Sequence, residues 1–283
     1  MSLTHLKTIS FPGKFYITTG VESLLTIADD DAYSLSMPLL VSAQLGNEEL
    51  YHFALKRMSR AMEKVESGPF KAWLYGRILF AADSIDDHQT VSNTLAYLNT
   101  LFDTLFENDT TKLDKFNAWS LGYVAALNKE EYSKRRESMK NAADYSTKKY
   151  FEINTINASN EKIQEARSDA IWAWVMSSQA AANAGELNAY TYAIEQILAI
   201  TEQTSISNAL QNGLLRTDRS NNYPAWAIII VRLAAQKIGD DARFKALEAP
   251  LLEAISRAKF ENRTEEVLLA LVNSQLAIER AKV

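Results

Sequence analysis

Tryptophan recurs in this chain in one local setting, and that recurrence limits the possible folds more than any other feature. Ala72-Trp73, Ala118-Trp119, Ile171-Trp172 and Ala225-Trp226 each open an apolar, alanine-rich segment with helical spacing. The last two copies superpose without a gap at a shift of 54 residues: Trp172, Ala173, Ala180, Ala181, Gly185 and Leu198 fall on Trp226, Ala227, Ala234, Ala235, Gly239 and Leu252. Glu186 then meets Asp240, and Tyr190 meets Phe244. Self-similarity of this kind reports stacked supersecondary units, each too small to bury its own apolar face.

The units are expected to be helical. A chain of 283 residues with only 9 Gly and 5 Pro has few sites for the tight turns of an all-β or α/β fold. From Ala32 onward each segment reads as helix, short turn, helix. Ala32–Leu45 forms a helix closed by Gly46, and Asn47 caps the next one, which runs to about Glu66 before Ser67-Gly68-Pro69. The second unit starts at Phe70, turns over between Asp83 and Asp87, and continues to about Phe106; Asp86 and Gln89 have capping-box spacing. Asn128 and Glu131 mark another helix start, opening a long charged helix from Lys129 to Phe151. A fourth unit spans Lys162–Thr201 with its turn at Gly185. The stretch from Thr204 to Asn222 is less regular, the fifth unit covers Tyr223–Lys259, and Thr264–Ala281 supplies a closing helix. Residues 1–31 read as an irregular N-terminal arm, leaving 32–283 as a single helical domain.

The four tryptophans are separated by 46, 53 and 54 residues, longer than the roughly 34 of a tetratricopeptide repeat. Small residues at Ala242, Ala246 and Ala249 suit the second helix of such a unit, whereas Arg135 and Met139 suit it poorly. The expected fold is therefore all-α: a tetratricopeptide-like array of about five αα-hairpins in a right-handed superhelix, with longer helices than that repeat.

Several function classes lose support. Without cysteine, thiolate zinc sites and a cysteine nucleophile are excluded. His5, His52 and His88 have no partner at ligand spacing, and no Gly-x-Gly pair is present to cradle phosphate. No cofactor and no metal is expected. A net charge of -5 argues against nucleic acid as a partner. The basic residues Lys134, Arg135 and Arg136 are interleaved with Glu130, Glu131 and Glu137, as on a solvated helix face. No apolar run reaches the roughly 18 residues of a membrane helix, so no membrane insertion is expected. With no targeting signal readable near Met1, the cytoplasm is the expected location, although a cysteine-free chain suits either redox setting.

Asp83, Asp86, Asp87 and His88 form the densest acidic cluster. Carboxylates at helical spacing can hold magnesium, and paired acids flanking a cavity can hydrolyse glycosides. A facing acidic motif is missing, however, and helix capping accounts for the cluster at a turn. Trp174 lies two residues from Trp172, about 200° around a helix, so both indoles cannot meet the same neighbour. Packing is the preferred placement for it over display beside Tyr190 or Tyr192.

The leading expectation is a non-enzymatic scaffold that recognises a protein or peptide segment on its concave face. Helical phase nominates Tyr75, Arg77, Tyr123, Trp174, Asn183 and Arg232 as binding residues. An immunity or inhibitor protein neutralising a toxin is the alternative, and an (α/α)-toroid hydrolase or lyase using the Asp83–His88 cluster is the second.

Overall fold

A computed structural model describes residues 31–44, 46–106, 115–127, 129–156, 158–214 and 222–257. The expected N-terminal arm, the closing helix and most of the polar run after Leu214 lie outside these residues. The described chain is all-α, with twelve helices and no strand. The described residues divide into two compact units, 31–102 and 103–257.

In the first unit, α1 (Ala32–Gln44) packs against both α2 (Glu48–Met62) and α3 (Pro69–Ser84), and α4 (His88–Phe106) follows. Pro69 suits the first position of α3, where a missing N–H costs nothing. Four buried side chains of α2, Tyr51, Ala54, Met58 and Ala61, recur at intervals of three and four, the spacing of one helix face.

In the second unit, α5 (Lys115–Leu127) pairs with α6 (Lys129–Thr155), and α7 (Asn160–Ala184) pairs with α8 (Leu187–Thr201). Next come α9 (Ile206–Leu214), α10 (Asn222–Ile238), α11 (Asp241–Ala246) and α12 (Glu248–Arg257). The helices that open successive hairpins lie side by side, because α7 packs on α5 and also on α10. Helix α7 touches α5, α6, α8, α9 and α10. That central position explains its composition: Ala166, Ala170, Ala173, Ala180, Ala181 and Ala182 are buried around its circumference, and small side chains let several helices approach together. The residues between Thr204 and Asn222 hold a short helix, α9, where the sequence reads as irregular. Gly213 on α9 lets Ile171 of α7 and Thr201 of α8 come so close that a Cβ there would stand 2.5 and 2.8 Å from them.

Four hairpin turns share one geometry. Gly46, Gly185 and Gly239 have φ of 65, 78 and 80°, and Asp86 takes the same left-handed conformation at 62°. In each turn the next residue donates its N–H five residues back: Asn47 to Ser42 O, Asp87 to Ala82 O, Glu186 to Ala181 O and Asp240 to Ala235 O. This is the 6→1 closure of a Schellman C-cap. Asn47, Asp87 and Asp240 then cap the following helix with side-chain oxygens, which accept from Leu50, Thr90 and Arg243 N–H.

Those turns set the phase of the tryptophans. Tyr33, Trp73, Trp172 and Trp226 each stand fifteen residues before the first residue of a second helix, namely Glu48, His88, Leu187 and Asp241. Trp119 stands only ten before Lys129, so it belongs to a different helical phase from the other three. The first hairpin fills the common position with Tyr33, whose ring stacks on Trp73 with centroids 5.8 Å apart.

Candidate functional site

The second helices bury one register of side chains. Three residues after the first residue of a second helix come Tyr51, Tyr132 and Tyr190, all buried; further along lie Met58, Leu98, Met139, Ile197 and Leu251, followed by Ala61, Leu101, Ala142, Ile200 and Ala254. A large apolar side chain recurs at the first of these positions, and the second holds alanine in three helices and Leu101 or Ile200 in the others.

The acidic turn after α3 performs local structural work. Asp86 supplies the left-handed residue of the turn, and the cap is Asp87, one residue later than the capping-box spacing implies. Both Asp87 oxygens are engaged: Oδ1 accepts from the Thr90 backbone N–H at 3.1 Å, and Oδ2 accepts from the Tyr51 hydroxyl at 2.9 Å. Burial pushes the Asp87 carboxyl up, but hydrogen bonds from Thr90 and Tyr51, with the nearby His52, outweigh it and hold the group below the ordinary carboxylate value. Burial, followed by the bond to Asp87, raises the Tyr51 phenol well above its usual range. Among the described residues no three carboxylate or imidazole groups gather as a metal site requires.

A second copy of this arrangement sits in the other unit. Asp240 Oδ1 accepts from Arg243 N–H at 3.0 Å, while its Oδ2 receives the Tyr190 hydroxyl at 3.4 Å and pairs with the Arg243 guanidinium. Arg243 also lies against the Tyr190 ring, 5.5 Å from its centroid, and donates to its hydroxyl at 3.1 Å. Between these copies, burial raises the buried Tyr132 phenol, and the charge of Glu186, the cap position of α8, raises it further against Arg136. The sequence offers Tyr190 only as a repeat position and as a neighbour of a displayed Trp174, and assigns no role to Tyr51 and Tyr132; all three are buried. Their common offset from Asn47, Asn128 and Glu186 was the available signal.

The six residues nominated from helical phase occupy varied settings. On α3, the Tyr75 ring meets Tyr97 with centroids 4.2 Å apart, and the Arg77 guanidinium lies 4.2 Å from the Trp73 ring centroid while donating to Ser36 Oγ. Tyr123 is half-exposed on α5. Trp174 is 2% exposed; its indole N–H donates to Thr147 Oγ1 at 2.9 Å and its ring meets the edge of Tyr192. Asn183 spans two hairpins by donating to Ala126 O at 2.8 Å. Arg232, 4% exposed, stacks on Phe244 at 3.9 Å and donates to the Phe244 carbonyl. Tyr75, Arg77, Trp174, Asn183 and Arg232 are thus joined to other helices of the chain.

Tyr123 and Asn183 belong to a wider set of half-exposed side chains on the first helices of the second unit. Tyr123 on α5, Trp172, Gln179 and Asn183 on α7, and Trp226, Ile229 and Leu233 on α10 are all half-exposed. Among the described residues no helix is long and apolar enough to cross a membrane. Comparison with protein-family models, with curated proteins and with solved structures finds no match to this chain.

Proposed function

We propose that the chain is a tetratricopeptide-like array of helical hairpins that acts as a non-enzymatic scaffold, holding a protein or peptide segment along its concave face. One observation carries this reading. Helices α5, α7 and α10 lie side by side as the opening members of successive hairpins and carry a half-exposed row of aromatic and amide side chains, Tyr123, Trp172, Asn183 and Trp226. Aromatic side chains give large contact area at small entropic cost, and amides between them pair with a peptide backbone. The shared turn geometry and the repeated buried register support the array. Engagement of both Asp87 oxygens in structural bonds supports a non-catalytic role for the acidic turn.

Site-directed photo-crosslinking tests the reading. A photoreactive phenylalanine in place of Trp226 is expected to capture one protein partner in stoichiometric yield, while the same group in place of the exposed Lys148 on α6 does not. With that partner in hand, Trp226→Ala should weaken binding by about tenfold or more. Capture from the α6 position alone, or unaltered affinity of a folded Trp226→Ala protein, overturns the assignment of the face.

A further inference from the structure

The hydroxyls of Tyr51 and Tyr190 reach out of their own hairpins. Each tyrosine sits four residues after the cap of a second helix, and each hydrogen-bonds to the aspartate that caps the second helix of the following hairpin, Asp87 and Asp240. The two carboxylates divide their oxygens alike, with Asp240 Oδ2 pairing in addition with the Arg243 guanidinium. Oδ1 accepts from the backbone N–H three residues on, at 3.1 Å in Asp87 and 3.0 Å in Asp240, and Oδ2 faces the phenol. Tyr132 stands at the same offset and feels the charge of the corresponding Glu186. One aspartate therefore closes its own helix and at the same time holds the preceding hairpin.

We propose that these two tyrosine–aspartate pairs are latches that place the caps of α4 and α11 under the control of the hairpin before each, so that the order of one hairpin is passed to the next through a single carboxylate. The chemistry favours the arrangement. A phenol buried at 0% exposure must find an acceptor, and an ionised carboxylate accepts about twice as strongly as a neutral oxygen. A carboxylate fixed by the phenol has its second oxygen already aimed at the free backbone donors of the helix start. In an array stabilised by nearest-neighbour contacts, such a link adds directly to the coupling between neighbours.

Amide hydrogen exchange on the intact chain tests the proposal. Tyr51→Phe keeps the ring and removes only the hydroxyl, so exchange at Thr90, whose N–H is held by Asp87, is expected to accelerate about tenfold. Exchange at Leu50, held by Asn47 within the hairpin that carries Tyr51, is expected to stay unchanged. Tyr190→Phe provides an independent copy, read at the Arg243 amide. Asp87→Asn keeps an oxygen for Thr90 but is a weaker acceptor for the phenol; in that background Tyr51→Phe should change Thr90 exchange by less than about threefold. The proposal is overturned if Leu50 and Thr90 accelerate together, which would mark general loosening. It is equally overturned if neither amide responds, or if the Asn background leaves the effect of Tyr51→Phe intact.

Discussion

Trp174 of α7 and Thr147 of α6 are joined by a 2.9 Å hydrogen bond from the indole N–H to the threonine hydroxyl, at a site where the indole is 2% exposed. The Thr147 hydroxyl in turn donates to Ala143 O within its own helix. The pair fixes the rotation of α7 against α6, and the Tyr192 ring closes the indole from the α8 side. Trp174→Phe is expected to destabilise the chain by about 1 to 2 kcal/mol, mostly from the lost bond, and Trp174→Ala by about 3 to 5 kcal/mol from the cavity. Urea unfolding monitored by far-ultraviolet circular dichroism checks both values. Equal losses from the two substitutions would show that the bond, and not the packing, dominates.

Gly122 marks a close approach of α5 to α7. A Cβ at this position would lie 2.5 Å from Met176 Cβ, an atom rooted in the backbone that no rotamer change can move away. Gly122→Ala is therefore expected to push the two helices apart and cost about 1 to 3 kcal/mol or more, despite the better helix propensity of alanine. Thermal unfolding of the variant is the measurement. A rise in melting temperature would mean that the helices are not in contact here.

The buried tyrosines make the protein sensitive to alkali. Burial raises the phenols of Tyr51, Tyr132 and Tyr190 in the folded state above the ordinary value of about 10. Groups raised by folding contribute stability that is fully present below the unfolded value and is lost as pH rises through the folded ones. Helix content and tyrosinate absorbance should therefore change together for these three residues in an alkaline titration, after the exposed tyrosines have ionised. Replacing Tyr132 by Phe should move the alkaline midpoint upward. At the acid end Asp87 behaves in the opposite sense: its lowered folded value means that its contribution is present above the unfolded value and fades as pH falls through the folded one. Ionisation of all tyrosines before helix is lost would contradict the burial of the three.

The helical class and most turn positions are readable in the residues, because Gly46, Gly185 and Gly239 provide the left-handed conformation and Asn47 and Asp240 carry side-chain caps. The phase of Trp119 is not, since its local setting imitates that of Trp73 while its distance to the next helix differs by five residues, Lys129 against His88. Helix α9 is not legible in the residues because Asn212-Gly213 reads as a turn, whereas here the glycine serves close packing against Ile171 and Thr201. Helical phase placed Arg232 and Asn183 on the first helices but could not reveal their attachments. Phe244 is brought to Arg232 by the turn between α10 and α11, and Ala126 is brought to Asn183 by the packing of α5 on α7.

Asp86 offers the sharpest separation between a turn residue and a functional acid. It holds φ of 62° where the equivalent turns use glycine, and a side chain in that region costs up to about 1 kcal/mol relative to glycine, less for aspartate than for most residues. Asp86→Gly is thus expected to stabilise the protein by a few tenths to about 1 kcal/mol, whereas Gly185→Ala and Gly239→Ala should each destabilise it by about 1 kcal/mol. The Asp87 cap and its bond to Tyr51 need nothing from the Asp86 side chain, so the protection of the Thr90 amide should persist in the Asp86 variant. Chemical denaturation of the three variants, read as shifts in midpoint at constant slope, decides the matter. A loss of stability in Asp86→Gly as large as in the alanine variants would show that the aspartate side chain, and not the backbone conformation, is what the turn requires.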